Sequence, residues 1–361
     1  MSTFLSIVGG VVVGFLLLIA AGFVWFRIKV GHLGALVAGL QNLPPFRIRL
    51  VPSAEAPWRD TEALAALTSG FESMGYEPVG DFEIPEMEGT AVRGFRNDGA
   101  GILAAIYDVP PVGIVVDLVL DLLDGTRLHL TTAPQDGLDQ PTGVYRVRVS
   151  LDTDDPDTPR QLHARLLMES RGREPMLLDS SFEHAFVEAY TQEMNWRIQR
   201  GGVTADEIRR EAEMSGQSEP SDQTVEMIRA AWRNAIDEFV GDEVRRAWLS
   251  QSAMALTDWE RDRDRFVVVH EYGDESEHID TLAWTIVEGT IPEDDDEAMD
   301  RSWEAARQRL APAFEGVGLR EGFAAAQQLL PEKRRYELLG RLDDPWPADC
   351  YLVPEDLRPV Y

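Results

Sequence analysis

The stretch Gly113-Ile-Val-Val-Asp-Leu-Val-Leu-Asp-Leu-Leu-Asp-Gly-Thr-Arg-Leu-His-Leu-Thr-Thr132 decides the fold class. Residues 113–123 and 127–132 are runs rich in Val, Ile and Leu, the side chains that fit a pleated, half-buried surface, and each run reads as a strand. Between them Asp124-Gly125 supplies the positive φ that a tight turn needs, so the pair is antiparallel. Working outward, residues 91–96, 101–108 and 144–151 have the same character, and Phe46-Arg-Ile-Arg-Leu-Val51 alternates like a strand with one wet face. Short connections suggest a meander. A helix from Asp60 or Thr61 to Met74, with Leu64, Leu67 and Phe71 on one side and Gly75 as its stop, would cover one face. Residues 46–152 therefore read as an antiparallel sheet with a covering helix, an α+β arrangement.

Asp152 to Arg160 (DTDDPDTPR) reads as an exposed acidic linker, and from there the chain turns mainly helical. Residues 162–170, 182–200, 205–214 and 224–250 carry the helical spacing, the last with a possible bend or restart at Gly241-Asp242. Thr204-Ala-Asp-Glu207 is a capping box, in which hydroxyl and carboxylate satisfy free N–H groups at a helix start, and Thr257-Asp-Trp-Glu260 repeats the pattern. Residues 265–270 read as a buried strand and 279–287 as an ambiguous apolar stretch. Three helices are expected to begin near Asp294, Leu319 and Pro331, and the proline-punctuated tail from Asp343 to drape over the surface. Whether 46–152 and 153–361 are two domains or one continuous body is open at this level.

At the other end, Phe4 to Phe26 is twenty-three residues without a charge. At about 1.5 Å rise per residue that exceeds a ~30 Å hydrocarbon core. Phe23, Trp25 and Phe26, then Arg27 and Lys29, have the layout of an interfacial anchor. Residues 1–29 are thus expected to form a single transmembrane helix in the lipid bilayer. No basic residue precedes the run and no clear A-x-A site follows it, which argues against a cleaved signal. The positive-inside rule puts everything after Arg27 in the cytoplasm. Ser6, Gly10 and Gly14, four apart, would let two such helices approach closely and form a homodimer, although glycine is common in membrane helices in any case. Residues 30–45 follow as a juxtamembrane segment, amphipathic through Leu33, Leu36, Val37 and Leu40 and stopped by Pro44-Pro45.

The chain of 361 residues is 44% hydrophobic and 27% charged, a globular balance, with a formal net charge of −29. Met1 to Ala54 contains no Asp or Glu, so the remainder is more acidic still. Such a surface repels phosphate backbones, which argues against nucleic-acid partners. Cys350 is the single cysteine, which rules out an intrachain disulfide and a cysteine metal cage. Neither a phosphate-cradling glycine loop nor a nucleophile elbow or zinc-helix motif occurs, and no cofactor is expected. The richest cluster is His270-Glu-Tyr-Gly-Asp-Glu-Ser-Glu-His278, where His270, Asp274, Glu275 and His278 could hold a divalent metal, or simply form an acidic turn. His184 and Glu188, four apart on a helix, could form an acid–base pair, or an ordinary surface contact. Glu293 to Glu297 suits a helix start, where carboxylates meet the positive end of the macrodipole. These observations suggest a membrane-anchored binding or regulatory module with a cytoplasmic protein partner. The alternative is a metal-dependent hydrolase built on the 270–278 turn.

Overall fold

Seven strands hydrogen-bond side by side in chain order: β1 (Val51–Pro52), β2 (Glu77–Glu83), β3 (Ala91–Asn97), β4 (Ile102–Val109), β5 (Gly113–Asp121), β6 (Arg127–Thr131) and β7 (Val144–Arg148). The computed structural model describes residues 43–110, 112–288, 290, 295–355 and 357. The expected anchor at 4–26, its face at Ser6, Gly10 and Gly14, and the amphipathic stretch before Pro44 lie outside the described residues. Among the described residues no helix is long and apolar enough to cross a membrane. Residues 46–361 form one compact unit by their internal contacts, and the chain is α+β.

The first five neighbouring pairs are antiparallel, as the sequence suggests, but β6 and β7 run parallel. A parallel neighbour needs a crossover rather than a tight turn. Residues 132–143 provide it without a helix, and two carboxylates pin it down: Glu211 accepts from Gly137 N at 2.7 Å and Glu207 from Asp139 N at 2.8 Å. The expected strand at 46–51 pairs only at its end, since Phe46 and Ile48 are buried by side-chain packing without a ladder partner. Strand β2, with three acidic residues, a proline and a glycine, carries little apolar signal; its bulge lies between Pro78 and Gly80.

One sheet face is covered by α1 (Thr61–Glu72) and α2 (Thr158–Glu169). Leu64, Leu67, Phe71, Leu162 and Leu166 pack there on Phe95, Ile102, Ile106, Val116, Leu118 and Leu130. Complete burial of such a side chain is worth roughly 1.5–3 kcal/mol, so this layer dominates the stability of the sheet. Asp60 caps α1 by accepting from Ala63 N, and Gly75, at φ 81°, ends it. The expected acidic linker is shorter than the sequence implies, because Thr158 already starts α2, with its hydroxyl donating to Asp152 O at 2.6 Å.

The second face is crossed by α3 (Phe182–Gln199), seated where Gly94 leaves room: a Cβ there would come within 2.5 Å of the Phe182 ring. Next come α4 (Ala205–Met214), α5 (Asp222–Gln251), α6 (Leu256–Asp262), β8 (Phe266–His270), α7 (Glu275–Val287), α8 (Asp296–Leu310), α9 (Leu319–Ala326), β9 (Glu337–Leu342) and β10 (Ala348–Leu352). Several expectations are corrected. Helix α5 runs unbroken through Gly241-Asp242. The box at Thr257 does not form, since α6 begins at Leu256 with Ala255 as an N-cap that makes no side-chain bond. Pro331 precedes only a 3-10 turn at Glu332–Arg334, and the tail does not drape. Instead β10 is the middle strand of a small antiparallel sheet, ordered β8-β10-β9, with Ala348 and Cys350 fully buried. A second core forms there, from Val267, Val269, Leu282, Leu310, Phe323 and Tyr351.

Candidate ligand pocket

Strand alternation sorts β5 into two sets. Val116, Leu118 and Leu120 enter the core under α1 and α2, which leaves Val115, Asp117, Val119 and Asp121 for the second face. Strand β6 does the same, with Leu128 and Leu130 in the core and Arg127 and His129 on the second face. The hairpin register pairs Asp117 with Thr131 and Val119 with His129, so His129 is the diagonal neighbour of Asp117. Its Nε2 lies 2.9 Å from Asp117 Oδ2. From β7, where Arg146 faces His129, the arginine donates from Nε to His129 Nδ1 at 3.1 Å and from Nη2 to Glu193 Oε2 of α3 at 2.9 Å.

Burial would raise the Asp117 carboxyl, but His129 and then Arg146 oppose it and hold it below the usual carboxylate range. Asp117 Oδ1 is buried, and the Tyr107 and Thr131 hydroxyls pack against the carboxylate as side-chain hydrogen-bond partners. Burial, reinforced by the charge of Asp117, pushes the Tyr107 phenol well above its ordinary value, so it remains a protonated donor. The charge chain continues away from the sheet. Glu193 accepts from Arg197 at 3.3 Å; Arg197, 2% exposed, lies 3.6 Å from fully buried Glu207, which also accepts from Arg200 at 3.1 Å. This network ties the second face to α3, α4 and the crossover.

Because α3 covers the second face only in part, a cavity of about 750 Å³ remains between them. Leu103, Val115, Val119, Phe186 and Ala189 provide apolar wall, and Asp117, His129 and Arg146 line it as well. A half-enclosed, mainly apolar space with a few convergent polar groups is the usual character of a small-molecule site, for which volumes run roughly 300–1,000 Å³.

The residues singled out from sequence lie elsewhere. His184 and Glu188 are 3.5 Å apart with side chains 69% and 52% exposed, a surface pair outside the cavity. His270 and His278 do come together around Gly273, but with Asp237 of α5. His270 Nε2 is 3.1 Å from Asp237 Oδ1, and His270 Nδ1 accepts from Tyr272 N at 3.2 Å. Asp274 instead caps α7 by accepting from Ser276 N at 2.7 Å, and Glu275 is exposed in the first turn of that helix. The expected metal set is therefore not assembled, and among the described residues no group of three or more His, Cys, Asp or Glu side chains could hold a metal ion. Within the acidic run, Asp295 is the N-cap of α8, accepting from Ala298 N at 3.0 Å. Sequence patterning misses the pocket group, although the group leaves a trace in it: Asp117 interrupts an otherwise apolar run, and the 124–125 turn fixes its distance from His129. No protein-family model, no curated protein and no solved structure matches the chain.

Proposed function

We propose that this protein is a single-pass, membrane-anchored binding module whose acidic cytoplasmic unit holds a largely apolar small molecule between the second sheet face and α3. The cavity of about 750 Å³, with apolar walls and the Asp117–His129–Arg146 group among its linings, is the observation that carries the reading. The anchor rests on the uncharged run Phe4–Phe26 and the basic residues after it. A binding role suits the site better than hydrolysis. Both ring nitrogens of His129 are engaged, and among the described residues the hydroxyls lining the cavity are those of threonines and tyrosines rather than serine. A cytoplasmic protein partner would then read the occupied module.

The test is a fluorescent apolar dye titrated against the full chain and against Ala189→Trp, which sets an indole into the cavity. The dye should brighten with the wild type and lose most of that signal with the variant. Equal dye binding by both proteins, with the variant folded by circular dichroism, would remove the groove as the binding site.

A further inference from the structure

We infer that the ligand of this groove is a single-chain amphiphile, a linear aliphatic tail with one polar end. It lies lengthwise under α3, with its tail toward Phe182 and its polar end among the side chains of β6 and β7. The inference rests on the binding reading above and names its ligand class.

The long axis of the cavity follows from how α3 crosses the sheet. At its start Phe182 sits against Gly94 of β3; further along, Gln192 accepts from Arg127 of β6 at 3.4 Å and Glu193 from Arg146 of β7 at 2.9 Å. The four strand spacings from β3 to β7 amount to about 19 Å, and the helix rises about 16 Å from Phe182 to Glu193, so it runs across the strands. The cavity follows it over that distance, since Phe182, Ala185, Ala189 and Glu193 all line its wall. A sphere of the same volume, about 750 Å³, would be only about 11 Å across, so the space is drawn out. Ala185 and Ala189 keep its middle open, because each brings only a methyl group to the wall. The two ends differ in polarity. Ile48, Ile84, Met87 and Phe182 wall the end nearest β2 and β3, where a tail displaces water from apolar surface. Arg127, His129, Arg146, Gln192 and Glu193 wall the end at β6 and β7. A tail laid there would strip water from polar groups without replacing its hydrogen bonds, which a polar end group can do.

The test displaces the bound dye from the full chain with 1-hexanol, 1-decanol and 1-adamantanol. Each affinity is divided by the probe's partition into the carrier alone, so that bulk hydrophobicity cancels. On the wild-type chain 1-decanol should then exceed 1-adamantanol, a compact alcohol of equal carbon number, by about tenfold. Met87→Trp, which narrows the apolar end, should weaken 1-decanol about tenfold and leave 1-hexanol, too short to reach that end, within about twofold. Equal or tighter binding of 1-adamantanol to the wild type overturns the linear ligand and leaves the groove standing. A variant that weakens both linear alcohols alike, or neither, overturns the placement of the tail. Bound dye that no alcohol displaces overturns the inference alone, whereas a dye that never binds the groove overturns the binding reading as well. Because the comparison of shapes is made on the wild-type chain, instability of the variant does not shield the inference.

Discussion

His278 sits with Nε2 buried and unpartnered, and burial holds its imidazole at about 4 against an ordinary 6.5. Between those two values the unfolded chain binds a proton that the folded chain refuses. The contribution of this residue is therefore complete above about pH 6.5 and is lost as pH falls toward 4, to the extent of about 3 kcal/mol. Glu277, raised by burial and by Asp237, Asp274 and Asp280, acts in the opposite sense, so the wild type alone mixes the two. Urea unfolding of the wild type and of His278→Gln at pH 7 and pH 4.5 isolates the histidine. The stability gap between the proteins should narrow or reverse at the lower pH, and a gap independent of pH would mean that His278 finds a proton partner in the folded state. At this scale the sequence showed the chemistry but not the neighbours. His270 and His278 stood out as a pair; that their third companion is Asp237, more than thirty residues earlier on α5, depends on how that helix packs. Asp117, a charge inside the apolar run of β5, was not singled out. Its meaning depended on His129 and Arg146, brought to it by two successive strand registers.

Helix α4 illustrates an element whose start does more than begin a helix. Thr204 and Glu207 form the reciprocal cap that the sequence implies, with Glu207 Oε2 accepting from Thr204 N at 2.7 Å and Thr204 Oγ1 accepting from Glu207 N at 3.2 Å. The same carboxylate, fully buried, also takes Asp139 N of the crossover and lies within ion-pair distance of Arg197 and Arg200. Losing the hydroxyl removes one cap bond, whereas losing the carboxylate also leaves buried cations and a backbone N–H unmatched. Thr204→Ala should cost about 1 kcal/mol and Glu207→Ala about 3 kcal/mol, read as shifts in denaturant midpoint at constant slope. Equal costs would show that the cap alone matters. Capping residues act on their own neighbours and so are legible in sequence, and the contrast with Thr257 marks the limit: the pattern is present, but the N-cap of α6 lies two residues earlier, at Ala255, and the hydroxyl is never placed to cap. Strands were legible in proportion to their burial. Strands β4 and β5 announced themselves, whereas β2 did not. Strand β10, following two prolines, looked like surface tail although β8 and β9 enclose it on both sides.

Across the whole molecule, 63 acidic residues face 34 lysines and arginines, so that even one-to-one pairing of every cation leaves the net charge of −29. Local pairs are abundant, among them Arg49–Glu86, Arg173–Asp124 and Arg301–Glu297, but exposed pairs of this kind contribute only about 0–1 kcal/mol each. The surplus carboxylates repel one another over distances at which salt screens effectively, since the screening length falls to about 10 Å at 0.1 M. Unfolding spreads those charges apart, so self-repulsion counts against the compact state. Added salt weakens both the exposed pairs and this repulsion, and with so large an imbalance of charge the repulsion outweighs the pairs. The thermal midpoint of the full chain at pH 7 should therefore rise, by about 2 °C or more, between roughly 20 mM and 300 mM sodium chloride. A potassium chloride series should give the same curve, because screening depends on ionic strength rather than on ion identity. A midpoint that falls with salt would mean that the arginine pairs dominate the surplus charge, and that the stability of this fold rests on specific ion pairs rather than on cores strong enough to tolerate an acidic surface.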